Sequence, residues 1–262
     1  MRKYMRDMTV TENISLHGSY CLLKLTSLQI LPDMYPGQFV QVRIEKSSTT
    51  FLRRPISIHY VDRKNNELWL LIRKIGDATR AITQYRTGDQ LNLLLPLGKG
   101  FTISQRPVTA DKPKLLLIGG GVGVAPLLFW GAYLKDAGFD PFFLLGARTK
   151  EELLQLEHFR KWGTVHTTTE DGSHGEKGFV TQHSILKNMR FDHLYTCGPK
   201  PMMMAVAKYA FSASIPCEVS LENTMACGIG ACLCCVEDTV GGNVCVCTEG
   251  PVFNINKLKW QN

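Results

Sequence analysis

The sequence predicts a multidomain α+β chain in three parts. An antiparallel β-barrel is expected over residues 1–103, an α/β parallel-sheet nucleotide-binding domain over 104–215, and a small cysteine-rich segment over 216–262. Three observations carry this. Short alternating apolar runs fill the first hundred residues, strands and helices alternate from about residue 113, and six of the nine cysteines crowd between Cys227 and Cys247.

The totals bound the problem. A chain of 262 residues buries a sizeable core, and 44% hydrophobic with 20% charged residues is the make-up of an ordinary globular protein. The net charge of +7 is spread without a long basic run. By itself it suits phosphorylated cofactors, an acidic protein or nucleic acid no more than a solvated basic surface; on the whole reading of the chain no nucleic-acid partner is expected. The N-terminus, MRKYMRDMTVTENISL, is basic but has no apolar stretch behind it, so it does not read as a secretory signal. No apolar run reaches the length of a membrane span, so no membrane partner is expected either. The expected compartment is the cytoplasm, where thiols stay reduced. A cysteine cluster there is expected to hold metal rather than disulfides.

In the first part, YCLLKLTSLQ, GQFVQVRIE, RRPISIHYVD, ELWLLIRKI and GDQLNLLLPLG read as strands. FVQVRI and LWLLIRKI alternate with period two, and the breaks fall at Pro36-Gly37, Asn65-Asn66 and Gly88-Asp89. Strands at this spacing predict a small barrel or sandwich. SQRPVTADKP, 104–113, carries two prolines and reads as a linker. Beyond it, KLLLIGGG, DPFFLLGAR and FDHLYTCG read as buried strands. APLLFWGAYLKDAG, KEELLQLEHFRKW and KPMMMAVAKYAFSA read as the helices between and after them. That alternation is the signature of βαβ units and an open parallel sheet.

The run LLLIGGGVGVAPLLF places a glycine turn between a strand and a helix. Gly119, Gly120, Gly121 and Gly123 let the backbone turn tightly and approach a pyrophosphate, whose charge faces free amides at the helix start. The pattern is G-x-G-x-x-P, with Pro126 suited to the first helical turn in place of a third glycine. A glycine turn alone is weak evidence; following a buried strand, it points to a dinucleotide. Cys197, Gly198 and Pro199 fall at the carboxyl end of a predicted strand, the edge at which open α/β sheets bind ligands. Most free cysteines in such places are small buried hydrophobes. Arg148, ending another strand, is placed to reach an adenosine ribose or to be solvated.

Within the barrel, FLRRPISI sets Arg54 and Pro55 before Ile56 and Ser57, and KIGDATRAI offers Gly76, Ala78 and Thr79 before a predicted helix. Small residues and a hydroxyl at a helix start suit a pyrophosphate. Either stretch alone is commonly plain architecture. Their order, followed by G-x-G-x-x-P and then C-G-P, resembles the ferredoxin–NADP reductase superfamily over roughly residues 10–215. The resemblance implies FAD against the barrel, held by Arg54, Pro55, Ile56, Ser57, Gly76, Ala78 and Thr79. It implies a nicotinamide nucleotide on the α/β domain, and Cys197 beside the nicotinamide as the catalytic-site residue. Ile56 stands where an aromatic often stacks on the flavin, and Ala78 where glycine is commoner.

Cys227-x4-Cys232-x2-Cys235, with a further cysteine downstream, matches the plant-type [2Fe–2S] spacing. Gly228 and Gly230 allow backbone amides to turn towards the sulfurs. Zinc is the alternative, but a four-cysteine zinc site usually brings two C-x2-C knuckles, and only Cys232/Cys235 forms one here. Cys234, inside that interval, is expected to point away. Cys245 and Cys247, two residues apart in an expected extended segment, would face the same side.

The tail LENTMACGIGACLCCV…CTEGPVF resembles the electron-transfer subunits of class 1B dihydroorotate dehydrogenases, and the likeness covers nearly the whole chain. It implies Cys227, Cys232, Cys235 and Cys247 as cluster ligands, leaving Cys234 and Cys245 spare. It further implies NAD, FAD and a [2Fe–2S] cluster in series. The implied partner is an FMN-containing dihydroorotate dehydrogenase catalytic subunit, in a heterotetramer of two plus two serving pyrimidine synthesis. Two other readings are a sibling reductase serving a hydrogenase or ferredoxin, and a zinc-stapled binding protein without flavin. The seven histidines are scattered and form no catalytic pattern.

Overall fold

The computed structural model describes residues 2–45, 49–103 and 112–260, so the expected linker 104–113 lies, but for its last two residues, outside them. The chain forms two compact units. The first comprises Met1–Gly100, Asn223–Glu237 and Asn243–Pro251; the second comprises Phe101–Glu222, Asp238–Gly242 and Val252–Asn262. Residues 216–262, expected as a third part, are therefore distributed over both.

The first unit is built on strands β1 (Tyr4–Ser15), β2 (Tyr20–Thr26), β3 (Phe39–Val42), β4 (Arg54–Asp62), β5 (Glu67–Arg73) and β6 (Gln90–Leu97), with a short helix α1 (Asp77–Ile82) between the last two. They close into a barrel in the order β1-β2-β5-β4-β3-β6, all pairs antiparallel. Closure leaves no free sheet edge. Its interior is aliphatic: Val10, Leu25, Val40, Ile58, Leu70 and Leu93 are fully buried. The strand not expected from the sequence is β1. Its charged residues are exposed or half-buried, so its apolar content is low, and backbone pairing to β2 and β6 defines it.

The second unit is a seven-stranded sheet. Its elements are β7 (Leu115–Gly120), α2 (Ala125–Asp136), β8 (Phe142–Ala147), α3 (Leu156–Arg160), β9 (Thr164–Thr169), β10 (Glu176–Lys177), α4 (Ile185–Asn188), β11 (His193–Cys197), α5 (Lys200–Ser212) and β12 (Cys217–Ser220). The chain then forms a hairpin, β13 (Val236–Thr239) with β14 (Gly242–Cys245), a one-turn helix α6 (Val246–Glu249), and β15 (Val252–Asn254). The sheet order is β10-β9-β8-β7-β11-β12-β15, parallel except for β15, which the sequence Val-Phe-Asn adds antiparallel to β12. β7 is buried along its whole length, as expected of a central parallel strand covered on both faces.

The helix expected over 150–162 is broken. A single 3-10 turn at Lys150–Glu152 gives way to Gln155, whose φ of 59° interrupts the helical path before α3 begins. Among the described residues no helix is long and apolar enough to cross a membrane.

Candidate functional site

In the first unit, Thr49, Thr50, Arg54, Ile75, Gly76, Asp77, Ala78 and Thr79 line one cleft of about 310 Å³. The two barrel motifs, twenty residues apart in sequence, thus meet on it. Arg54 sits at the start of β4, its guanidinium donating to the carbonyls of Leu52 (3.0 Å) and Arg53 (3.2 Å). Thr79 Oγ1 accepts from the amides of Ile75 (3.0 Å) and Gly76 (3.1 Å) and donates to the Gly76 carbonyl, which fixes the entry to α1. Gly76 has an ordinary extended backbone, and nothing lies within 4 Å of where its Cβ would stand. Neither packing nor backbone strain requires glycine there. The space left open suits a diphosphate, beside the Arg54 guanidinium. Pro55, Ile56 and Ser57 are half-buried on β4, opposite Gln41, Val40 and Phe39 of β3.

In the second unit, β7 and β11 are adjacent parallel strands on which the chain reverses its order through the sheet, with Gly119 paired to Cys197. This is the topological switch point, where open α/β sheets bind nucleotides. Gly121 takes φ 56°, and a 3-10 turn over Gly121–Val124 leads into α2, whose first turn holds the buried Pro126. A Cβ on Gly123 would stand 2.3 Å from Gly198 Cα, so the glycine turn and the C-G-P turn touch through backbone alone. Gly119 and Gly120 have a different cause: their Cβ atoms would strike Leu127 with Val124, and Met202, respectively. Pro199 is the N-cap of α5. Burial holds the Cys197 thiol well above its ordinary value, the Glu222 carboxylate adds to this, and bonds to Ser220 and Gly198 oppose it. Cys197 is thus a neutral thiol. Arg148 is engaged by its own segment, its Nε (3.1 Å) and Nη2 (2.5 Å) donating to the two Glu152 oxygens.

The cysteine loop belongs to the first unit. Gly228 (φ 70°), Gly230 (φ 88°) and Leu233 (φ 57°) carry it through left-handed turns. Burial opposes ionisation of Cys227, but the amides of Ile229, Cys232 and Ala231 and the Cys232 thiol bond to its sulfur and hold it at about 6. Amides converging on a thiolate are what a metal-bound sulfur requires. Cys235 is buried; its sulfur accepts from the Cys247 amide and its carbonyl from the Val246 amide. Burial, then Cys235, push the Cys247 thiol up to about 12, with the Gly230 amide opposing. Burial also raises Cys245, followed by the nearby Cys235, Cys227 and Cys232. Cys232 and Cys234 are exposed. Among the described residues no three His, Cys, Asp or Glu side chains gather tightly on one point.

The extended segment expected around Cys245 and Cys247 is not present. Cys245 ends β14 and is the N-cap of α6, while Cys247 lies inside that helix, so the two do not share a strand face. Both nonetheless lie close enough to Cys235 to share a side-chain hydrogen bond with it, and both feel the charge of Cys227. Other neighbours of the site went unread in the sequence. Thr49 and Thr50 lie in a stretch without periodicity, and Gln41, in the alternating run FVQVRI, is a polar residue that is fully buried.

Comparison with known proteins fits this geometry. Residues 117–208 match the family model of the oxidoreductase NAD-binding domain, and residues 222–259 that of the iron–sulfur cluster binding domain of dihydroorotate dehydrogenase B. The chain is also similar to a chain in the structure of the NADH-dependent reduced ferredoxin-NADP oxidoreductase. That likeness covers 97% of this chain and 90% of the other, with a TM-score of 0.86 and 26% identity. Barrel, switch-point turns and cysteine loop define an NAD-linked electron-transfer oxidoreductase of the ferredoxin–NADP reductase fold, with FAD, NAD and a [2Fe–2S] cluster as cofactors.

Its relatives narrow the class. The chain is 39% identical over 226 residues to the dihydroorotate dehydrogenase B (NAD(+)) electron transfer subunit of Geobacillus kaustophilus strain HTA426, covering 85% of this chain and 86% of that one. To the subunit of the same name in Shouchella clausii strain KSM-K16 it is 34% identical over 263 residues, covering 98% and 99%. The chain belongs to the family of dihydroorotate dehydrogenase B electron transfer subunits, which implies a catalytic partner subunit.

Proposed function

We propose that this chain carries electrons between NAD(H) and the FMN of a dihydroorotate dehydrogenase catalytic subunit, in a cytoplasmic heterotetramer of two plus two that serves pyrimidine synthesis. The observation that carries this is the make-up of the first unit. One compact body holds both the cleft at Arg54 and Gly76 and the cysteine loop in which several amides bond to the Cys227 sulfur. Bound FAD exchanges hydride with a nicotinamide and single electrons with an iron–sulfur cluster, so it supplies the step between two-electron and one-electron carriers.

The chain's own residues bind and orient. Arg54 faces the FAD diphosphate, with Gly76, Ala78 and Thr79 forming the floor beneath it. Pro55, Ile56 and Ser57 border the flavin. Gly119, Gly120, Gly121 and Gly123 shape the nucleotide turn, Pro126 starts its helix, and Cys197, Gly198 and Pro199 border the nicotinamide. Cys197, holding its proton, packs there and does not attack. Cys227, Cys232, Cys235 and Cys247 hold the cluster, as the family resemblance implies. The burial of Cys235 and Cys247 and the amide ring around Cys227 support that set. Nine free cysteines fit a reducing compartment.

Orotate added to the NADH-reduced complex of this chain with its catalytic subunit is the test. Reoxidation by orotate is expected. Reoxidation by a ferredoxin and not by orotate would favour a sibling reductase, a reading to which the likeness with the ferredoxin-NADP oxidoreductase lends support.

A further inference from the structure

Gln41 lies on β3 with a relative exposure of 0%. Its neighbours Val40 and Val42 are fully buried in the barrel, and strand alternation sends Gln41 to the opposite, outer face. There the cysteine loop covers it. A Cβ on Gly228 would stand 2.7 Å from Gln41 Cγ, 3.2 Å from Cδ and 2.9 Å from Nε2. The carboxamide is therefore pressed against the backbone of the residue that follows Cys227, and glycine at 228 makes room for it.

Neither Oε1 nor Nε2 of Gln41 has a hydrogen-bond partner among the described residues. A buried amide left in that state is costly, and native interiors almost always satisfy such groups. Both ends lack partners, so the conclusion is the same whichever way the amide is turned. The surrounding protein offers little. Arg53 donates to the backbone carbonyl of Gln41, and the residue opposite on β4 is Pro55, which has no N–H. The neighbouring Gln38 is engaged elsewhere, accepting from the Tyr35 amide and donating to the Gly98 carbonyl. The backbone that covers the carboxamide is that of the loop bearing Cys227, Cys232 and Cys235.

The geometry points to Gln41 as a hydrogen-bond donor to the iron–sulfur cluster, its Nε2 donating to a cluster sulfur on the Cys227 side and raising the cluster's reduction potential. This rests on the proposed function, in which the loop holds a [2Fe–2S] cluster. Reduction adds negative charge that the sulfurs share, so a donor stabilises the reduced form more than the oxidised one. Gln41 is a tuning and positioning residue; no proton or electron leaves it.

The test uses the full chain, loaded with FAD and cluster and complexed with its catalytic subunit. Glutamine side-chain amides are labelled with nitrogen-15, and pulsed EPR is recorded on the reduced cluster. A nitrogen-15 coupling is expected in the unsubstituted protein, lost in Gln41→Met and in Gln41→Glu, which keeps the shape without the amide. In Gln41→Met the cluster should be roughly tenfold harder to reduce, which for one electron is ~59 mV, with the flavin potential unmoved. A full cluster without the coupling would overturn the inference, as would a shift confined to the flavin. Absence of two irons and two sulfides from the unsubstituted chain would instead contradict the proposed function itself. Should neither variant retain a cluster, the coupling in the unsubstituted protein decides.

Discussion

The backbone amide of Cys247 donates to the sulfur of Cys235 at 3.4 Å, and both side chains are buried. This bond ties the segment of Cys247 to the loop that carries Cys227, Cys232 and Cys235.

Cys247→Ser should lose the cluster and Cys245→Ser should keep it, read as iron and acid-labile sulfide per chain after anaerobic purification. Both thiols interact with the Cys235 side chain, so the pair is a discriminating comparison. The reverse outcome would move the fourth ligand to Cys245.

Arg54→Ala removes the guanidinium of the 310 Å³ cleft. A hydrogen bond to a charged group contributes about 1.5–3 kcal/mol, so FAD should bind roughly tenfold or more weakly. NADH affinity, set in the other unit, should change little. Titration of the apoprotein with FAD, followed by NADH titration of the reloaded protein, separates the two; equal loss of both would mean a general folding defect.

Gly123→Ala forces a Cβ to within 2.3 Å of Gly198 Cα and 2.5 Å of its nitrogen, both backbone atoms. Crowding of this kind costs about 1–3 kcal/mol. The expected result is a KM for NADH raised roughly tenfold with full FAD content. An unchanged KM would show that the two turns do not act together on the nucleotide.

Glu218 accepts from the Thr102 amide (2.9 Å) and hydroxyl (2.5 Å) and is 7% exposed. Burial raises its carboxyl above the ordinary 4.5, against the Thr102 bonds and Lys257. Across that window the folded chain binds more protons than the unfolded one, so stability falls as pH climbs through it. Glu218→Gln keeps an acceptor for the amide and carries no charge. Its Tm should exceed that of the unsubstituted protein at pH 8, and the gap should close as pH drops to the ordinary carboxyl range. A constant gap between pH 4 and pH 8 would contradict the raised carboxyl.

The strands with strong apolar alternation, and the glycine turn behind β7, were legible because local pattern and tertiary burial agree there. β1 was not, since barrel closure and not its own residues defines it. The cysteine loop was legible by its spacing, but the turn that separates Cys245 from Cys247 was not, because α6 is only four residues long. Gln41 shows the deeper limit. Its burial depends on a loop nearly two hundred residues away, which local alternation does not report. Gly119 and Gly120 read as part of the nucleotide cradle, while the structure gives each a packing cause as well.

The most direct measurement is the content of FAD, iron, acid-labile sulfide and zinc per chain in anaerobically purified protein, followed by addition of NADH. One FAD, two irons and two sulfides, with flavin and cluster both reduced by NADH, is the expected result. Zinc without flavin, and no response to NADH, would contradict it and leave the fold as a scaffold without a redox chain.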